Sequence, residues 1–336
     1  MAAETKNRSS VHEDRHGRNA DAPTEIPPQG WKDVLARTKA EVKQDRVPLL
    51  SAAVAFYSLL AIVPAMVAIV CLYGLLADPS DIERQVDDWL GSAPQEVREL
   101  VAAQLTSITE NAGTAAGIGV VIGIVAALWA ASSGVGHLVE AINIAYDEEE
   151  TRGWVRRRFL AIALTVGATV FMLVAVGLIA ILPAALADSG LGTASRVVAG
   201  VVRWLVLFVG MIAALSVLYR YAPDRNGPKW RWASPGAIVA TIMWLLASVI
   251  FSIYTANFAK YNETYGTLGS VVVVMLWLFL TALAVIVGAE LNAELERQTV
   301  RDSTVGAERP MGARDAYAAD TLGPTTSETH REPASN

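Results

Sequence analysis

An all-α polytopic membrane protein is the fold class this sequence predicts: six transmembrane helices, an N-terminal interfacial helix and an external amphipathic helical hairpin. Three observations carry it. The 336 residues are 53% apolar and only 18% charged, with a mean hydropathy of +0.38, whereas soluble domains carry roughly 25% charged residues. The apolar excess is gathered into six long stretches. Lys and Arg concentrate in every second connection between those stretches.

Residues 1–29 are polar and without periodicity, so they are expected to form a disordered cytoplasmic tail. They hold no apolar segment with a cleavage site, and the first span is expected to direct insertion itself. Residues 30–297 form the membrane domain, and 298–336, rich in Pro, Thr, Ser and Gly, are expected to be a second disordered cytoplasmic tail. Over residues 31–47, Trp31, Val34, Leu35, Thr38 and Val42 share one helical face and Lys32, Lys39, Lys43 and Arg46 another. That suits a helix lying on the anionic inner leaflet, with a plain solvated helix as the alternative.

The spans cover about 49–76, 115–139, 159–187, 197–219, 232–259 and 264–289. A helix needs roughly 20 residues to cross a hydrocarbon core of about 30 Å. Only 16 uncharged residues separate Arg203 from Arg220, so the fourth span extends back through Val197 to Val202, with Arg203 snorkelling. Orientation follows from the cationic flanks. Lys32, Arg37, Lys39, Lys43 and Arg46 precede span one, Arg152, Arg156, Arg157 and Arg158 follow span two, and Arg220, Arg225, Lys229 and Arg231 follow span four. By the positive-inside rule these are cytoplasmic and both termini lie inside. The first external loop carries eight carboxylates against Arg84 and Arg98, and residues 81–110 read as two amphipathic helices parted at Gly91 to Pro94. Their faces offer a docking place for an envelope protein, although a solvated acidic surface explains them as well.

Chemistry is sparse. A single cysteine, Cys71, excludes an internal disulfide, and of four histidines only His137 lies outside the polar tails, so no metal or cofactor is expected. On span two, Trp129, Ser132, Ser133, Gly136, His137, Glu140 and Asn143 form one polar stripe. It is read as a proton relay or substrate contact, or else as a hydrogen-bonded packing seam. Span one adds Tyr57 and Ser58, with Pro64 loosening the helix. Arg220 is expected level with Glu140 and Glu290, where it could neutralise either or hold a phosphate; an interfacial belt of Tyr219, Tyr221, Trp230 and Trp232 is the plainer reading. On span six, Gly266, Ser270, Trp277, Thr281, Gly288 and Asn292 share a small, partly polar face suited to close packing, and Gly269 adds to the glycines at its start. Glu290 points the other way, either buried as a paired carboxylate or snorkelling. Gly117, Gly119 and Gly123 follow no strand and are packing glycines rather than a nucleotide loop. The basic residues form no nucleic-acid groove.

Several segments together have a familiar order and spacing. They are Ala52 to Leu60 with Pro64, Trp129 to Ser132 followed by Ala141-Ile142-Asn143, and Tyr219 to Pro223. Tyr265 to Gly269, Trp277 and Gly288 to Asn292 complete the set. Over roughly residues 31–297 the chain resembles the YihY/BrkB family of bacterial inner-membrane proteins. The resemblance implies a six-span plasma-membrane protein; some relatives are linked to serum resistance or lipid export, and the family carried an old ribonuclease label. It supplies no settled catalytic residues. The sequence therefore leads to a transporter or flippase-like permease for a lipid or amphipathic envelope substrate, without its own ATPase and not an enzyme. A non-transporting scaffold supporting envelope integrity is the alternative, a homo-oligomer is compatible with either, and a membrane hydrolase ranks last.

Overall fold

A computed structural model describes residues 15–74, 114–181, 183, 192–258 and 267–329. The expected external hairpin at 81–110 and Gly266 lie outside the described residues. Among them the chain is helical: α1 (Pro28–Gln44), α2 (Val47–Gly74), α3 (Thr114–Ala145), α4 (Trp154–Val176), α5 (Thr193–Tyr221), α6 (Trp230–Phe258), α7 (Thr267–Glu296) and two single turns, α8 (Tyr317–Asp320) and α9 (Thr326–Thr329). A π-helical turn, Gly177–Ile181, continues α4. Among the described residues four stretches are long and apolar enough to cross a membrane: Trp154–Ile179, Ser195–Tyr221, Trp230–Thr255 and Val271–Glu296. A fifth arises if Pro28–Gln44 and Val47–Ile62, bent by 60°, count as one span. The joint is Asp45 and Arg46, and Arg46 turns the chain through a positive φ of 52°.

Helix α7 is the hub, packing on α1, α2, α3, α6 and α8. The core between these helices is built from Val54 of α2, Val139 and Ile142 of α3, Leu215 and Tyr219 of α5, Ala237 and Ala240 of α6, and Ile286 and Ala289 of α7. By contrast α4, α5 and α6 leave Val170, Leu173, Val201, Leu205, Val249 and Ile250 exposed. Such faces are a liability in water and suit hydrocarbon.

The small face of α7 lies on α6. Trp277 packs against Trp244, with ring centroids 5.5 Å apart, and Thr281 accepts the Trp244 indole N–H at 3.2 Å. At the crossing, a Cβ on Gly236 or on Gly288 would run into the other glycine's carbonyl oxygen. Pro235 sits inside α6 and has no N–H to give the helix. Next to it, Asn292 accepts the Gly236 N–H at 2.7 Å and donates to Ala233 O at 3.0 Å. One amide thus bonds α6 backbone on both sides of the proline.

The terminal segments correct the expectation of disorder wherever they are described. Residues 15–29 and 298–329 wrap the end of α7 and bury Arg18, Ala20, Ile26, Thr299, Ser303, Arg314 and Ala318. Val300 N–H donates to Arg18 O at 2.8 Å, and Arg18 donates to Gly323 O at 2.7 Å. Arg314 supplies N–H groups to Val300 O and Ala319 O, each at 2.6 Å. Buried arginines here satisfy loop carbonyls, an ordering principle that leaves no apolar period in the sequence. Trp232 belongs to this cap and not to an interfacial belt: it is 1% exposed and packs with Ala20, Ile26, Val34, Leu291 and Leu295.

The face of α1 read as lipid-binding is also reassigned in part. Val34 and Thr38 are buried against protein together with Asp33 and Arg37, while Lys32, Lys39, Lys43 and Arg46 stay exposed.

Candidate functional site

Two polar regions gather at the end of the bundle where α1, α3 and α7 terminate. The first is the half-exposed stripe. Tyr57 of α2 stacks on His137 of α3, with centroids 3.7 Å apart and planes 19° from parallel. The helices can approach this closely because Gly134 faces Ser58: an added Cβ would lie 3.2 Å from the Ser58 Cα. His137 Nδ1 is 3.7 Å from Glu140 Oε2, within ion-pair reach but too long for a hydrogen bond. Arg157 approaches the same carboxylate at 3.9 Å. Beside them the Arg158 guanidinium lies 4.2 Å over the Trp129 ring and donates to the Trp129 carbonyl. Trp154, Val155 and Phe159 are exposed next to these arginines, so cationic and apolar groups share one surface.

The other stripe residues are structural in this geometry. Ser132 is buried and donates to its own helix at Trp129 O, 2.8 Å away. Asn143 holds two connections together, donating to Glu150 at 3.0 Å and accepting the Asp224 N–H at 2.8 Å. Pro64 lies within α2 and Gly269 in the first turn of α7.

Arg220 departs from its expected role. It donates to Pro228 O at 3.0 Å, its guanidinium sits 4.5 Å over Trp230, and it pairs with neither Glu140 nor Glu290. The loop after α5 turns it back onto its own belt, which satisfies the guanidinium locally. Glu290 is instead 1% exposed.

The second region is a buried charge network that the sequence reading missed. Arg37 bonds the Glu294 carboxylate and, through a second nitrogen, Gln298 at 2.8 Å. Arg297 reaches Glu294 at 2.6 Å and Glu41 at 3.2 Å, with Asp147 at 3.9 Å. Arg225 makes a two-pronged contact with Glu296, at 3.1 and 2.8 Å, and both side chains are wholly buried. The available signal was the run Glu290, Glu294, Glu296 and Arg297, too acidic for the end of an apolar helix without partners.

Glu148 lies at the edge of that network. Its Oε1 accepts the Tyr317 N–H at 2.8 Å and sits 3.9 Å from Arg225. Burial pushes its carboxyl up to about 7, partly opposed by the Tyr317 N–H and Arg225. A carboxyl raised in the fold binds its proton more tightly there than in the unfolded chain, so stability falls as pH rises from about 4.5 through about 7. The Glu148→Gln variant is expected to lose that part of the pH dependence. Thermal unfolding of both proteins between pH 5 and 8 measures it, and parallel curves would contradict the assignment.

The chain matches the family described as Virulence factor BrkB over residues 38–312. It is 32% identical to "Putative ribonuclease-like protein YfkH" of Bacillus subtilis, over 74% of this chain and 90% of that protein. A UPF0761 membrane protein of Tolumonas auensis is 24% identical over 76% of this chain and 82% of its own length. One from Delftia acidovorans is 20% identical over 79% and 62%. No solved structure matches.

Proposed function

Because the chain belongs to the BrkB family of integral membrane proteins, we propose that it is a six-span plasma-membrane permease or flippase-like carrier of an anionic amphipathic lipid. Both termini are cytoplasmic in this reading. The observation that carries it is the half-exposed face of Tyr57, His137, Glu140 and Arg157, bordered by Arg158 and by the exposed apolar Trp154, Val155 and Phe159. Guanidinium groups hold phosphate oxygens, aromatic rings sit at headgroup depth, and the apolar border accepts acyl chains. The anion partner is thus Arg157 with Arg158, in place of Arg220.

The ribonuclease-like name belongs to the Bacillus relative, and we propose no nuclease activity for this chain. RNA hydrolysis needs acid-base groups open to a long polyanion. The carboxyls at the end of α7, Glu290, Glu294 and Glu296, are each 1% exposed.

Reconstitution tests the carrier. In liposomes containing a labelled anionic phospholipid, the wild type is expected to move label between leaflets. Arg157→Ala and His137→Ala are expected to slow it at least tenfold with protein content unchanged. Equal movement with protein and in empty liposomes would overturn carriage and return the reading to a scaffold.

A further inference from the structure

Arg297 holds Glu41 of α1 and Glu294 of α7 together at 3.2 and 2.6 Å; Asp45, one turn beyond Glu41, and Glu290, one turn before Glu294, are thereby brought side by side at the joint between α1 and α2. Asp45 caps α1, its N–H donating to Glu41 O at 2.8 Å, and Glu290 approaches from α7. Glu290 is 1% exposed, and its Oε1 is buried with no hydrogen-bond partner among the described residues. The charges around the pair are mainly negative. Helix α1 contributes Glu41, the end of α3 contributes Asp147, and α7 contributes Glu294. The nearby cations are engaged elsewhere: Arg297 on Glu294, Glu41 and Asp147, and Arg37 on Glu294. Tyr146 also faces Glu290 and adds no positive charge. Neighbouring carboxyls without a cation of their own repel when both are ionised, the more so at this depth, and a single proton held between them removes that repulsion.

We propose that Asp45 and Glu290 form a proton-binding site that latches α1 to α7 across the joint. Proton loss places two negative charges against each other where the chain bends by 60°, and the site relieves them by releasing α1. Burial raises Asp45, with Asp147 adding to it and Glu290 opposing; burial also raises Glu41 and Asp147, with Glu294 adding to both and Arg297 opposing. The latch is independent of whether the protein carries a lipid, and its test uses no transport readout.

The test is infrared spectroscopy of the purified full-length protein in lipid nanodiscs, with hydrogen–deuterium exchange of residues 28–44 across the same pH range. The wild-type minus Glu290→Gln difference spectrum is expected to contain a protonated-carboxyl C=O band at pH 7 that disappears at higher pH. Protection of 28–44, corrected for intrinsic exchange, is expected to fall at least threefold through that transition in the wild type and to stay level in Glu290→Gln. In Asp45→Asn the C=O band is expected to survive to a different pH, and this variant serves alone if Glu290→Gln does not fold. A difference spectrum showing only ionised carboxylate at pH 7 would overturn the site. Unchanged pH dependence of protection in both variants would overturn the latch.

Discussion

Replacing Arg225 by Met is expected to destabilise the protein by roughly 3–5 kcal/mol, the usual cost of stripping one partner from a buried ion pair. Arg225 and Glu296 are both fully buried and joined by two hydrogen bonds. Without the guanidinium, Glu296 keeps the Ser303 hydroxyl but no cation, in a place water cannot reach. The guanidinium also lies 5.1 Å over the Tyr146 ring and 3.9 Å from Glu148, so α3, α7 and the 222–230 connection all lose a shared anchor. The released segment should be the C-terminal cap, because Ser303 and Tyr317 attach to this network directly. The measurement is the thermal midpoint of Arg225→Met together with protease cleavage within 297–329. The double variant Arg225→Met with Glu296→Gln should recover much of the loss, since it removes the orphaned charge as well. A single variant that stays within about 1 kcal/mol of wild type would show that the pair is not what holds the cap.

The long apolar helices were legible because apolar length leaves a direct mark on sequence, four of them being long and apolar enough to cross a membrane among the described residues, and the backward extension of the fourth stretch through Val197 to Val202 matches α5, Thr193–Tyr221. The ends of those helices were less legible. Helix α3 runs on to Ala145 and α7 to Glu296, well past the apolar stretches, because their polar last turns are buried by protein and not by lipid. The cap was invisible for the same reason: Arg18, Arg37, Arg225 and Arg314 read as solvent-seeking residues, yet each is buried on carbonyls or carboxylates, and for Arg18, Arg37 and Arg225 these lie far away in sequence. Pairing across more than 250 residues, as between Arg37 and Glu294, has no local signature. Of the site, the Tyr57 and His137 juxtaposition could be read only as two stripes on two helices. Arg220 was misplaced because its height in the membrane was inferred while its direction was set by the loop that follows.

Gly236→Ala is expected to be the most damaging single-methyl change in the bundle. Its Cβ would press into the Gly288 carbonyl oxygen and lie 2.6 Å from Asn292 Nδ2, so backbone must move. Overpacking alone costs about 1–3 kcal/mol. Here the shift also pulls Asn292 off the Gly236 N–H and the Ala233 carbonyl, leaving buried polar groups unmatched. Gly288→Ala meets the same crossing from the other side, reaching the Tyr219 hydroxyl and coming within 2.8 Å of the Ala240 Cβ. It should therefore weaken the bond from Tyr219 to Val285 O, 2.7 Å long. Gly167→Ala in α4 is the control, since nothing lies within 4 Å of its added methyl; a helix-interior Gly to Ala change there should gain about 0.5–1 kcal/mol. Thermal midpoints of the three variants separate contact from propensity. If all three move alike, the close crossing of α6 and α7 is not what sets stability; if only the crossing variants fall, the two glycines and Asn292 act as one joint.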